Sequence, residues 1–117
     1  MFDHVTVRAA DRDASQRFYE TVLPQLGIEP TYDGDDLVEW SDFSIAAGEA
    51  TRRLHVAFVA LSRAAVDAFW RAGVAAGYES DGEPGPRPQY HPGYYAAFVR
   101  DPDGTNVEVV AHVRASA

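Results

Sequence analysis

The sequence predicts an α+β fold made of two copies of one βαβββ module, spanning roughly residues 1–50 and 53–113 of a single domain that takes in all 117 residues. Three observations carry this. Laying His55 onto His4, an offset of 51, also brings Val56 onto Val5, Arg63 onto Arg12, Ala65 onto Ala14 and Phe69 onto Phe18. In each copy a His-Val pair opens an apolar run, and a helix-capping residue followed by an aromatic pair, Phe18-Tyr19 or Phe69-Trp70, comes after it. Near the end, Asp101-Pro102-Asp103-Gly104 separates two apolar runs with the residues a tight hairpin turn requires.

Residues 2–7 read as a strand through the β-branched Val5, Thr6 and Val7. Asp11 or Asp13 caps the helix that follows, whose buried stripe is Phe18, Val22 and Leu26 at a spacing of four. Pro24 ends or bends that helix and Gly27 stops it. Three short extended stretches follow, around Thr31 and over residues 37–40 and 43–47, with Asp33-Gly34 as a hairpin signal. The second copy repeats the plan: a strand over 54–60, Ser62 as cap, and a buried helix face of Val66, Phe69, Trp70 and Val74 up to Gly77. A weak strand at 78–80 leads into a loop over 81–93, rich in Pro and Gly, of the length that lids and binding loops have. Residues 94–100 and 105–110 are the final two strands.

Composition excludes several function classes. A net charge of −8 without any cluster of Lys and Arg rules against nucleic acid, and equally against an anionic membrane surface. Hydrophobic residues at 46% are too many for a disordered chain and too evenly spread for a membrane span. With no cysteine, a metal would have to be held by His, Asp, Glu or Tyr. No basic-then-apolar segment opens the chain, so a cytoplasmic location is expected.

Three side chains stand at matched strand positions: His4, His55 and Glu108. Two imidazoles and a carboxylate suffice for a divalent first-row metal (Fe, Mn, Ni or Zn) and leave positions open for substrate. Each histidine also has an ordinary structural reading, as a hydrogen-bonded strand residue. Glu108 lies among Val107, Val109 and Val110, so its carboxylate needs a partner or must face water. The loop offers His91 as general acid or base, Tyr90 as proton donor and Arg87 as a carboxylate clamp, with Tyr94 and Tyr95 beside them. The alternative is that residues 90–93 only shape a turn. Tyr32 and Trp40 are core or pocket wall, Tyr19 and Trp70 are core, and His112 is a surface residue near the C-terminus.

The doubled module, the His-Val openings and the Asp-Pro-Asp-Gly-x-x-x-Glu sequence at 101–108 together resemble the vicinal oxygen chelate superfamily. That superfamily contains glyoxalase I, extradiol dioxygenases, fosfomycin-resistance transferases and bleomycin-resistance proteins. The resemblance implies paired modules that form a curved mixed sheet, a cup around a divalent metal, with His4, His55 and Glu108 on the ligand strands. Glyoxalase I-like members take a further ligand from the last strand of the first module. Aligning residues 44–46 with 106–108 puts Ala46 at that position, and only a slipped register would bring Glu49 there. Three ligands are what extradiol dioxygenases and fosfomycin-resistance transferases use. The implied function is a small metal-dependent enzyme acting on an oxygen-rich small-molecule substrate chelated to the metal, the alternative being a non-catalytic sequestering protein of the bleomycin-resistance type. Short relatives form homodimers, so a homodimer is expected here, with His4 from one subunit meeting His55 and Glu108 of the other.

Overall fold

The computed structural model describes residues 1–112, so the expected end of the second module at 113 lies outside the described residues. The first module runs β1 (Val5–Ala9), α1 (Arg12–Val22), a 3-10 turn (Leu23–Leu26), β2 (Tyr32–Asp33), β3 (Leu37–Trp40) and β4 (Phe43–Ala47). The second runs β5 (His55–Val59), α2 (Arg63–Ala75), β6 (Ser80–Pro86), β7 (Tyr94–Arg100) and β8 (Asn106–His112). The fold is α+β, with two four-stranded mixed sheets ordered β1-β4-β3-β2 and β5-β8-β7-β6. In each, the first strand pairs in parallel with the last and the other pairs are antiparallel.

Local chemistry explains the helix ends. Asp11 accepts from the Ala14 amide at 3.0 Å and Ser62 from the Ala65 amide at 3.1 Å, each satisfying a donor that the first turn leaves free. Pro24 has no N–H to continue the ladder, so α1 stops at Val22 and tightens into a 3-10 turn. Gly27, at φ +75°, closes that turn in the left-handed conformation glycine adopts without strain.

Strand alternation sends one face of each sheet into a core shared by both modules. Phe18, Tyr19, Trp40 and Phe43 from the first meet Phe58, Val66, Phe69, Val99, Val107 and Val109 from the second. Phe58 is the hinge of this packing, its ring 5.2 Å from Phe43 and 6.2 Å from Tyr19. A polar tie reinforces it. The buried Tyr19 hydroxyl donates to Asp101 Oδ2 at 3.0 Å, while Asp101 Oδ1 accepts from the amides of Asp103 and Thr105, each at 2.9 Å. Burial pushes the Tyr19 hydroxyl well above its ordinary pKa, with the Asp101 charge adding to it. Burial also raises Asp101, against the hydrogen bonds that hold its charged form.

Four expectations need correction. β1 begins at Val5 and runs to Ala9, leaving Phe2 exposed. Val74 is exposed, and Gly73 lies on the buried face instead, because α2 approaches so closely that a Cβ there would sit 3.2 Å from Val99 and 3.3 Å from Val22. The first half of the stretch read as a loop over 81–93 is strand: residues 81–86 belong to β6, and only 87–93 form the loop. β6 pairs with β7 through two register shifts, and as an edge strand it tolerates the glycines and prolines that made it look like a loop. Trp40 is core and no pocket wall: it is 2% exposed and packs against Tyr19 and Phe43.

Candidate metal centre

The face of the second sheet turned away from the core holds one polar cluster. On β8, alternation puts Glu108, Val110 and His112 on this face, and β5 lies beside it in parallel with Ala57 opposite Glu108 and His55 opposite Asn106. Glu108 is only 4% exposed, which for a carboxylate demands partners. It has two: Oε1 lies 2.8 Å from His55 Nε2, and Oε2 accepts from the Tyr94 hydroxyl across the β7–β8 pair. The His55 side chain is itself 54% exposed, so the pair has a buried end and an open end. The Tyr94 hydroxyl is pushed up to about 12, first by burial and then by its bond to Glu108, so at neutral pH it remains a donor.

The loop after β6 builds the rim. His91 Nδ1 lies 2.7 Å from the Pro92 carbonyl and Nε2 lies 2.9 Å from His112 Nδ1. A carbonyl only accepts, so the neutral His91 ring carries its proton on Nδ1 and accepts from His112 at Nε2, a tautomer assigned from this network. Both nitrogens of His91 are therefore engaged. Of the four ring nitrogens in this histidine pair, His112 Nε2 is the one without a hydrogen bond among the described residues. Tyr90, 62% exposed, touches the Tyr94 ring at 4.8 Å without reaching Glu108, and Arg87 lies over the Phe98 ring at 5.5 Å.

Other residues fall elsewhere. His4 is exposed just before β1, with Nδ1 2.6 Å from Asp3, whose hydrogen bond raises the imidazole pKa. It does not join His55 and Glu108, and among the described residues no three His, Asp or Glu side chains converge as a metal site. Tyr32 is exposed on β2 of the other sheet, over Gly34 of its own hairpin. Strand register also corrects the alignment of the modules. Thr6 lies opposite Ser44 as Ala57 lies opposite Glu108, so Ser44, not Ala46, occupies the position equivalent to Glu108. Ser44 is occupied with Thr6 Oγ1 at 2.8 Å, and Glu49 lies beyond the end of β4. His112 is exposed, as expected of a surface residue, but its place on the rim beside His91, and that of Phe98 beneath Arg87, had no counterpart in the sequence reading. The signal for His112 was available in its spacing, two and four residues from Val110 and Glu108, which puts all three on one strand face.

The model of the Glyoxalase/Bleomycin resistance protein/Dioxygenase superfamily matches residues 1–109. The chain belongs to that superfamily. A glyoxalase/bleomycin resistance protein from Albidiferax ferrireducens T118 is 32% identical, with 95% of this chain and 98% of that one covered at a TM-score of 0.81. Lactoylglutathione lyase from Agrobacterium tumefaciens, 21% identical, aligns over 95% of this chain and 92% of its own at a TM-score of 0.66. The oxidase ChaP-H2, 24% identical, aligns over 99% and 96% at 0.66. These last two likenesses are of fold alone. No curated protein matches the chain. A protein named as a lyase and one named as an oxidase thus share this fold, and a reaction has to be argued from the Glu108 cluster itself.

Proposed function

We propose that this superfamily member is a small metal-dependent enzyme whose divalent ion is held by His55 and Glu108 of one subunit and His4 of a second copy. The observation that carries the reading is Glu108, a nearly buried carboxylate set in an apolar strand and shared between an imidazole and a phenol. An imidazole nitrogen and a carboxylate oxygen 2.8 Å apart, one end open to solvent, are donor types that first-row divalent ions take, and these two residues would hold such an ion. Fe, Mn, Ni and Zn all suit this donor set. Two features support completion across a homodimer. His4 is exposed rather than committed to the core, and β1 and β5, the strands that carry or adjoin the two histidines, are both unpaired sheet edges flanked by exposed Phe2, Val5, Val59 and Leu61.

A divalent ion held by these residues would supply Lewis-acid polarisation of the substrate's oxygens. The chain's own residues do the rest. Tyr94 ties up Glu108 Oε2 and so leaves Oε1 as the donor facing His55. On the rim, His91, anchored on the Pro92 carbonyl, fixes the tautomer of His112, whose ring packs edge-on against Tyr94 and so supports the phenol that grips Glu108.

The test is elemental analysis of protein purified without chelator or affinity metal, beside His4→Ala, His55→Ala and Glu108→Ala. Near-stoichiometric metal lost in all three variants is the expected result. If the site is shared, mixing and refolding His4→Ala with His55→Ala restores metal to roughly a quarter of the sites, because half of the subunit pairs are mixed and each mixed pair has one intact site. Wild type that stays empty after reconstitution with each of the four ions overturns the enzyme reading and leaves sequestration of a small molecule.

A further inference from the structure

Arg87 is held in an unusual seat. Its guanidinium lies over Phe98, with Nη1 donating to the Gly85 carbonyl at 2.8 Å and Nη2 to the Glu83 carbonyl at 2.9 Å. Phe98 is the strand partner of Glu108, so the cation stands next to the Glu108 cluster, and its charge opposes the rise in the Tyr94 pKa. In a chain with 18 acidic residues, no carboxylate pairs with Arg87 among the described residues; the ion pairs there involve His4, Arg12, His55 and Arg100. Even counting a longer contact to the Pro86 carbonyl at 3.4 Å, the guanidinium keeps N–H groups uncommitted.

Two glycines make the seat possible. Gly82 lies opposite Phe98 and Gly85 opposite Ala96 on the edge strand. A Cβ at Gly85 would stand 3.2 Å from Arg87 Nη1, and one at Gly82 would stand 2.7 Å from the Phe98 ring and 3.4 Å from Nη2. Neither has the positive φ found at Gly27, Gly77, Gly93 or Gly104, so what glycine supplies here is space beside Phe98 and Arg87 and not a special backbone conformation.

We propose that Arg87 is a preorganised receptor for an oxyanion, the carboxylate or phosphate of a small acidic substrate, and that Gly82 and Gly85 hold it in place. This rests on the reading of the Glu108 face as the substrate site, and it narrows the substrate class to oxyacids whose anion meets Arg87 while neighbouring oxygens turn toward His55 and Glu108. A planar fork with its rotamer already fixed loses little entropy on binding a carboxylate or phosphate, which favours this use over that of a mobile surface arginine.

The experiment titrates metal-free wild type, Arg87→Gln and Gly85→Ala with pyruvate, inorganic phosphate and the neutral ketone acetone, following amide resonances of β6 and β7. Expected are saturable shifts with pyruvate or phosphate and none with acetone, with affinity about tenfold lower or worse in Arg87→Gln. Gly85→Ala, which keeps the charge and asks only a flexible side-chain end to move, should bind several-fold more weakly. Whichever anion binds more tightly identifies the source of the oxyanion. Absence of anion binding to wild type, binding of acetone as tight as pyruvate, or undiminished affinity in Arg87→Gln overturns the receptor. Undiminished affinity in Gly85→Ala overturns the seat. Metal uptake by aliquots of the same preparations after reconstitution with each of the four ions keeps the two readings apart: anion binding in protein that takes up no metal sustains the receptor and sinks the metal centre.

Discussion

The two modules share one backbone plan and differ in what they put on the outer face of the sheet. Across the first sheet the row reads Thr6, Ser44, Glu39, Tyr32; across the second the matching row reads Ala57, Glu108, Phe98, Gly82. In the first, two hydroxyls satisfy each other at 2.8 Å and ask for nothing further. In the second, a carboxylate takes the serine's place, the threonine becomes an alanine that leaves room, and an imidazole, a phenol and a guanidinium gather around it. The two sheets are equal scaffolds, and the polar cluster stands on one of them. The first module offers there only His4, exposed just ahead of β1.

The largest effect should come from exchanging the polar residue at the equivalent positions. Glu108→Gln keeps size and hydrogen-bonding capacity but removes the charge, and is expected to abolish metal uptake with the fold intact. Ser44→Ala should leave metal content unchanged and cost about 0.5–1.5 kcal/mol, the worth of one ordinary hydrogen bond. Elemental analysis and urea unfolding of the two variants separate them. Metal retained in Glu108→Gln, or lost in Ser44→Ala, would erase the distinction between the modules.

The next effect tests what joins the modules rather than what divides them. Tyr19 reaches from α1 to Asp101 in the β7–β8 turn, and Asp101 also holds two amides of that turn. Asp101→Ala removes every acceptor at once and should cost about 3 kcal/mol, whereas Tyr19→Phe, which strips one donor from a buried carboxylate, should cost about 1–3 kcal/mol. Denaturant unfolding followed by Trp40 and Trp70 fluorescence measures both. A cost below half a kcal/mol in each would mean the apolar core alone couples the modules.

What could be read from the sequence followed how local its cause is. The Asp101–Gly104 turn, the Asp11 and Ser62 caps and the break at Pro24 depend on a few neighbouring residues, and the structure has all of them. His55 and Glu108 were named from sequence with His4 as ligands of one metal; the structure puts His55 Nε2 2.8 Å from Glu108 Oε1 and leaves His4 apart from them. What stayed hidden has distant causes. Gly73 faces the core because Val22 and Val99 come close to it, and no periodicity of apolar side chains marks a glycine as buried. β6 reads as a loop because its glycines answer to Arg87 and Phe98 rather than to strand propensity. The equivalence of Ser44 with Glu108 needed strand register, since shifting the alignment by two residues preserves the facing of every side chain and only the parallel pairing with β1 and β5 chooses. The separation of His4 from His55 depends on how whole modules sit, which repeats alone leave open.

The smallest effect lies in the Tyr94 hydroxyl, and it tests whether the second module's carboxylate is really held from both sides. The bond to Glu108 exists only while Tyr94 is protonated, and its pKa stands at about 12 in the folded protein against an ordinary value of 10. Between those values the folded state holds a proton that the unfolded chain has released, so folding stability falls as pH rises. The contribution is therefore complete below pH 10 and lost as pH passes through about 12. Tyr94→Phe lacks it at every pH. The gap in urea midpoint between wild type and Tyr94→Phe should be constant from pH 7 to pH 9 and close as pH rises beyond 10. Absorbance titration at 295 nm should lose one late-ionising phenol of the six tyrosines in the same variant. A gap that persisted unchanged at pH 12 would assign the loss to the packing of the ring against Tyr90 and the two rim histidines, and Glu108 would then be gripped by His55 alone.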